Sequence, residues 1–373
     1  MPGLLPDVDP DGLLEFSVVF TDRSLNHMSG RFQGVMRDIS RLLKDVYQAE
    51  AVAVVPGGGT YAMEAVARQF GTGKKCLIIR NGWFSFRWTQ ILEAGGIASS
   101  SVVLKARPTE SGPQPGWAPA PIEEIEAAIA AERPDMVFAP HVETSAGMLL
   151  PDEYLRRISA AAHAVGALFV LDCIASGTLW VDMKATGVDL LISAPQKGWS
   201  ASPCSGLVMF SAAARERIES TASTSFAVDL KKWLQIMTTY ENGGHAYHAT
   251  MPTDALLKFR DTMLETADYG FAKVRDEQVE LGRQVRTMLK ARGFRSVAAA
   301  GFEAPGVVVC HTDDPEMQNG RKMLAKGMQI AAGVPLQCDE GPDFRTFRIG
   351  LFGLDKLHHP ERCVAQLEAA LGS

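Results

Sequence analysis

The chain has 373 residues, of which 46% are apolar and 21% charged, with a formal net charge of −6. That length exceeds one simple core and suits a large α/β domain with a smaller companion. The charge excludes a global basic field for nucleic acid or an anionic membrane, and no uncharged run of about 20 apolar residues exists to span a bilayer.

In chain order, MPGLLPDVDP is acidic and Pro-rich, without the basic and apolar regions of a secretory signal. Residues 1–30 read as an extended arm. Residues 31–49 place Phe32, Val35, Met36, Ile39, Leu42, Leu43 and Val46 at helical spacing. AVAVVP is a short buried strand, GGGT a turn and YAMEAVARQF a helix. KCLIIR is a strand, followed by a helix from about Phe84 to Ala94. SSVVLKA, DMVFAPHV, ALFVLDCIA, DLLISAP and GLVMFS read as further strands, with helices at PIEEIEAAIAAER and PDEYLRRISAAAHAVG. The Pro/Gly-rich stretch 108–121 reads as a surface loop. Strands almost continuous in Val, Ile and Leu, separated by helices, imply a mostly parallel sheet covered on both faces. The pattern changes near residue 260. A long helix over roughly 255–292 leads to strands at GFRSVAA, GVVVCHT and FRTFRIGLFG, with a helix before the last. The expected division is an arm (1–30), a large α/β domain (31–255), and a linking helix with a small α+β domain (256–373).

Six scattered cysteines form no CxxC pair, which fits buried free thiols and a reducing cytoplasm. His141 and His163 read as structural. His358 and His359 are adjacent but lack a third metal ligand.

Four segments carry chemistry. P-G-G-G-T (56–60) joins a buried strand to a helix, where close backbone and a helix N-terminus favour an anion; by itself it fits a tight turn equally well. Asp172 ends a wholly apolar strand, where a carboxylate needs a cation or donors. Lys197 stands among small residues between two apolar strands, and partial burial makes such an amine nucleophilic. Arg348 lies within an apolar strand and suits a bidentate carboxylate clamp, or a structural ion pair.

The order of these parts matters more than any one of them. With GGGTYAMEAV, NGWFSFR, ETSAG, FVLDCIAS, APQKGWS, AYHATMP and FRIGLFG in sequence, the chain resembles the class V aminotransferases of fold type I, the alanine–glyoxylate and serine–pyruvate group above all. That resemblance implies pyridoxal 5'-phosphate (PLP) as cofactor and a homodimer that shares its active sites. It implies Lys197 as the Schiff-base lysine and Asp172 as partner of the ring nitrogen. Gly58, Gly59, Thr60 and Gln196 match the phosphate site, Phe84 the stacked aromatic (with Trp83 as fallback), and Thr144 the contact to the ring hydroxyl. Tyr247 and Thr250 match residues that reach the phosphate from the other subunit, and Arg348 the substrate carboxylate anchor. The substrates it implies are a small amino acid and a 2-oxo acid such as glyoxylate or pyruvate. Two alternatives on the same scaffold are an aminophosphonate substrate and a cysteine desulfurase, for which Cys338 is the candidate thiol. The stretch EFSVVFTDRSLNHMSG departs from the family, which opens on a Gly-Pro-Gly-Pro type segment lining the substrate pocket.

Overall fold

The computed structural model describes residues 13–372; the first twelve residues of the expected arm lie outside that range. Seven strands form the central sheet: β1 (Ala51–Pro56), β2 (Lys75–Arg80), β3 (Ser100–Lys105), β4 (Met136–Pro140), β5 (Leu168–Asp172), β6 (Leu190–Ser193) and β7 (Ser205–Phe210). Their order is β1-β7-β6-β5-β4-β2-β3. All run parallel except β7, which pairs antiparallel with both β1 and β6. Strands β4 to β7 are buried at every residue, which requires cover on both faces, and only the edge strand β3 is largely open. This is the mostly parallel α/β sheet, covered on both faces, that the sequence implies.

The covering helices are α1 (Gly30–Tyr47), α2 (Gly59–Phe70), α3 (Trp83–Ala94), α4 (Ile122–Glu132), α5 (Asp152–Ala164) and α6 (Leu230–Glu241). Helix α1 starts where the Ser29 hydroxyl accepts the Phe32 N–H at 3.1 Å, and it buries Phe32, Val35, Met36, Ile39 and Leu43. Ahead of it, residues 13–29 have no regular structure. Leu25 is anchored in the core, and its N–H bonds Asp254 at 2.9 Å, whereas Phe16 and Val18 stand open to solvent. Among the described residues no helix is long and apolar enough to cross a membrane.

The C-terminal part departs from the sequence expectation in several places. The long helix is two helices, α7 (Thr253–Tyr269) and α8 (Phe271–Ala291). The break is Gly270, whose φ of 108° and ψ of 118° no helix accommodates. GFRSVAA forms only isolated bridges at Ser296 and Ala298. The strand expected over DMVFAPHV stops at Pro140, and the chain folds back as a short hairpin, Val142–Glu143 against Met148–Leu149. The loop at 108–121 is pinned by pairing of Arg107–Pro108 with Trp117–Ala118 and by the buried Trp117. The helix expected after GVVVCHT is two four-residue turns, Pro315–Gln318 and Arg321–Leu324. A three-stranded antiparallel sheet, β8 (Val307–His311), β9 (Ala331–Ala332) and β10 (Thr346–Gly350), places β10 in the middle. Helix α9 (Pro360–Leu371) closes the chain.

Arg286, on α8, ties the start of β8 to the short hairpin that follows β4. Its Nη2 donates to the carbonyls of Gly147 (3.2 Å), Ala304 (2.7 Å) and Val307 (3.0 Å). Gly147 belongs to the hairpin turn that follows Thr144, so one guanidinium holds three backbone acceptors from two distant segments together. Arg286→Met keeps much of the volume and leaves those carbonyls without the cation. It should destabilise the fold by about 2–4 kcal/mol, read as a lower thermal midpoint, whereas an unchanged midpoint would make the tie dispensable.

Candidate active site

The parallel strands present their C-terminal ends to one side of the sheet, and the chemistry gathers there. After β1 the backbone turns through Gly57, at φ +122°, where a Cβ would meet the Tyr61 ring at 2.6 Å. A side chain at Gly59 would run into Ile174. Helix α2 then starts without a side-chain cap, which leaves its first turn to an anion.

A cavity of about 390 Å³ opens beside this turn. Gly59, Thr60, Phe84, Thr144, Asp172, Gln196, Lys197 and Arg348 all line it. Gly58 is the residue before α2 and is not among the lining residues. Phe84, and not Trp83, faces the cavity; the Trp83 N–H bonds the Ser145 hydroxyl at 2.9 Å. Tyr247 and Thr250 are not in this wall. They are exposed, and their hydroxyls lie 3.1 Å apart.

Each charged group has a distinct setting. Asp172 is paired with Pro140 of β4 and Ile192 of β6 and is buried in the sheet. Its Oδ1 accepts only the Ile174 N–H, at 2.9 Å. Burial pushes its carboxyl up to about 7, nearby Glu143 adds to the rise, and Arg87 opposes it. Lys197 is half-buried, with Nζ 5.2 Å from the centre of the Phe352 ring. Burial first, then the charges of Arg348 and Arg87, lower its pKa toward the free amine. Arg348, central in β10, donates from Nε to the Ala332 carbonyl at 2.8 Å, and its guanidinium carbon lies 5.4 Å over the Phe84 ring. On the other elements, His141 is fully buried against the Ser176 hydroxyl at 2.7 Å, with its pKa lowered to about 4 by desolvation, and His163 bonds Asp189 at 2.8 Å. Both are structural. Among the described residues, no group of three His, Cys, Asp or Glu could hold a metal ion.

Three site residues escaped the sequence reading. Glu143 is completely buried, yet every side of its carboxylate is satisfied. Oε1 accepts the N–H groups of Phe84 (3.1 Å) and Ser145 (3.0 Å) and the Ser145 hydroxyl (2.7 Å). Oε2 accepts the Ser85 N–H (2.9 Å) and hydroxyl (2.7 Å). It therefore caps α3 from another segment and fixes the helix turn that carries Phe84. Gly82 is small because a Cβ there would strike Ser145 and Glu143. The signal was present in the sequence: a carboxylate just past an apolar strand, set among small residues, as with Asp172. Arg87, one turn along α3, lines the cavity and carries no such mark. Gly198 is the third, since a Cβ at that position would overlap the Gly177 carbonyl. The loop after Lys197 is thus packed backbone to backbone.

Glu143→Gln should lower stability by about 2–3 kcal/mol, because an amide N–H₂ would face N–H and hydroxyl donors. It should also move the Asp172 titration downward, since a negative neighbour is removed. Thermal melts with a pH titration of the site check both, and unchanged melting would refute the cap.

The amino-acid sequence matches the family model described as aminotransferase class V over residues 15–340. A soluble hydrogenase small subunit of a Synechococcus strain is 24% identical over 335 residues, 88% of this chain and 83% of that protein. An alanine–glyoxylate aminotransferase of Callithrix jacchus is 27% identical over 342 residues, covering 88% and 77%. A 2-aminoethylphosphonate–pyruvate transaminase of Paraburkholderia phymatum is 27% identical over 363 residues, covering 94% and 90%. The crystal structure of an alanine–glyoxylate aminotransferase from Nostoc sp. superposes with a TM-score of 0.75 at 22% identity, over 93% of this chain and 89% of that one, which speaks for the fold alone. With the family model spanning most of the chain, and a strand-end carboxylate, a depressed lysine and an arginine converging on one cavity, the chain belongs to the class V aminotransferases, enzymes that use pyridoxal 5'-phosphate.

Proposed function

We propose that this enzyme moves an amino group from a small amino acid to a 2-oxo acid such as glyoxylate or pyruvate, with Lys197 as the amine that carries the cofactor. The observation that supports it most is the convergence of Asp172, Lys197 and Arg348 on a single cavity. The residues fit PLP on their own chemistry. A buried carboxylate held near 7, with no ion pair among the described residues and only Arg87 opposing the rise, suits the direct positive charge that a pyridinium N–H supplies. The uncapped start of α2, where Gly59 admits no side chain, suits a phosphate. Gln196 lines the same cavity, and its side-chain amide N–H₂ can donate to a phosphate oxygen.

When bound, PLP supplies an aldehyde that accepts the amino group and a ring that takes up the electrons of the broken Cα–H bond. The chain does the rest. Asp172 keeps the ring nitrogen protonated, and Phe84 covers a ring face. Thr144 bonds the ring hydroxyl, and Gly58, Gly59, Thr60 and Gln196 hold the phosphate. Arg348 orients the substrate acid. Lys197, with its pKa lowered, moves the proton at the substrate α carbon. Tyr247 and Thr250 complete the phosphate site of a second subunit, a role supported by their exposure away from the cavity of their own chain.

A desulfurase reading gains nothing from Cys338. It is buried, its thiol contacts the Arg80 carbonyl at 3.4 Å, and burial with Glu143 and Glu340 nearby pushes its pKa up to about 12. Such a thiol is neither mobile nor a nucleophile. An aminophosphonate remains a substrate candidate, because the Arg348 guanidinium binds a phosphonate as readily as a carboxylate.

The test adds alanine, serine and 2-aminoethylphosphonate singly, with no acceptor, and follows pyridoxamine phosphate. Conversion by one donor, and a borohydride-fixed peptide containing Lys197, are the expected results. Lys197→Ala should lose turnover by about 10²–10⁴-fold and yield no fixed peptide. Failure of every donor would refute transamination.

Asp172 carries a pH consequence. Its folded-state pKa, about 7, lies above the ordinary carboxylate value, so the folded chain without cofactor binds a proton that the unfolded chain has released. Stability from this group is present at low pH and is lost as pH rises through about 7. Asp172→Asn never takes the charge. Between pH 5 and 8 the cofactor-free variant should gain on the order of 2–4 kcal/mol relative to wild type, measured by denaturant midpoints. A constant difference would refute the assignment.

A further inference from the structure

The phosphate end of the cavity raises a question of charge. Gly58, Gly59, Thr60 and Gln196 are all neutral, and so are the hydroxyls of Tyr247 and Thr250. The start of α2 offers only about half an elementary charge, against a phosphate group that carries nearly two. A dianion held by neutral donors in a recessed site keeps a large desolvation cost.

Three cations line the cavity: Arg87, Lys197 and Arg348. Lys197 is taken by the aldehyde end in the reading given above, on which this inference rests. Arg348 is fixed by the Ala332 carbonyl on the C-terminal sheet. Arg87 alone of the three is hydrogen-bonded to the cradle. Its Nη1 donates to the Thr60 hydroxyl at 3.2 Å, and its guanidinium carbon lies 4.8 Å from the centre of the Phe84 ring. One helical turn separates Phe84 from Arg87 on α3, so the same helix presents the stacking ring and the charge to one side. A guanidinium stacked on an aromatic face keeps free N–H edges for a bidentate anion.

We propose that Arg87 is a direct ligand of the cofactor phosphate and the principal positive charge of its site. Thr60 and Phe84 hold the guanidinium in place before the cofactor arrives. The charge also reaches the reacting groups, since Arg87 lowers the pKa of both Lys197 and Asp172. Loss of Arg87 should therefore change both affinity and the ionisation of the site.

The experiment uses the full chain stripped of cofactor. Dissociation constants for PLP and for pyridoxal, which lacks the phosphate, are measured by tryptophan fluorescence for wild type, Arg87→Gln and Arg87→Lys. The expected result is that Arg87→Gln weakens PLP by about ten- to a hundredfold and weakens pyridoxal far less, while Arg87→Lys recovers part of the loss. The pH midpoint of the bound cofactor's visible band should rise in Arg87→Gln, and its ³¹P resonance should shift. Equal weakening of both ligands would reduce Arg87 to a structural role and overturn the proposal. Unchanged PLP affinity with a raised KM for the amino donor would make it a substrate ligand and also overturn it. If the wild-type chain binds no PLP, the reading of the whole site falls, an outcome distinct from failure of Arg87 alone.

Discussion

The site depends on a carboxylate that the chain surrounds but does not neutralise. Asp172 ends a strand with neighbours on both sides, under cover on both faces, and a single backbone N–H reaches it. The sheet gains its stability from apolar burial, and this residue works against that gain. A carboxyl displaced from its usual range to near 7 represents a standing cost of a few kcal/mol. In the proposed reading that cost is met by the ring N–H of the cofactor, which would couple stability to cofactor recognition.

A second buried carboxylate shows the opposite solution. Glu143 is more deeply buried than Asp172, yet five donors converge on it. Its bonds all serve local structure: they close the start of α3 and seat Phe84. The two acids lie close enough to interact, and the satisfied one makes the unsatisfied one harder to ionise. Burial alone thus says little about function. The count and kind of donors separate a structural carboxylate from a chemical one.

Much of this was legible in the sequence. Asp172, Lys197 and Arg348 stand out because apolar strands rarely carry charge, and a polar residue at a strand end marks the side where parallel sheets place their sites. Strand existence followed from runs of Val, Ile and Leu. What the sequence hid was mostly long-range. The role of Glu143 requires knowing that the chain folds back after Pro140 and meets α3. Arg87 has no local signature, because its partner Thr60 lies on another helix. The helical periodicity passes smoothly through Gly270, and only the backbone there reveals the break. Val297 and Ala298 are buried like strand residues, but this segment finds only isolated bridges, at Ser296 and Ala298, since packing and ladder pairing are separate requirements.

The reversed strand has a consequence for how the molecule is made. β1 leads directly into the glycine turn ahead of α2, yet its only neighbour in the sheet is β7, which begins at Ser205, past the midpoint of the 373 residues. Chains emerge from the ribosome N-terminus first, and contacts between distant segments close late. During synthesis β1 and the turn after it must wait, with both edges of the strand unpaired, until β7 has been made. Arg348 arrives later still. A nascent chain therefore offers no finished pocket, and the cofactor can be captured only once nearly all of the polypeptide is in place.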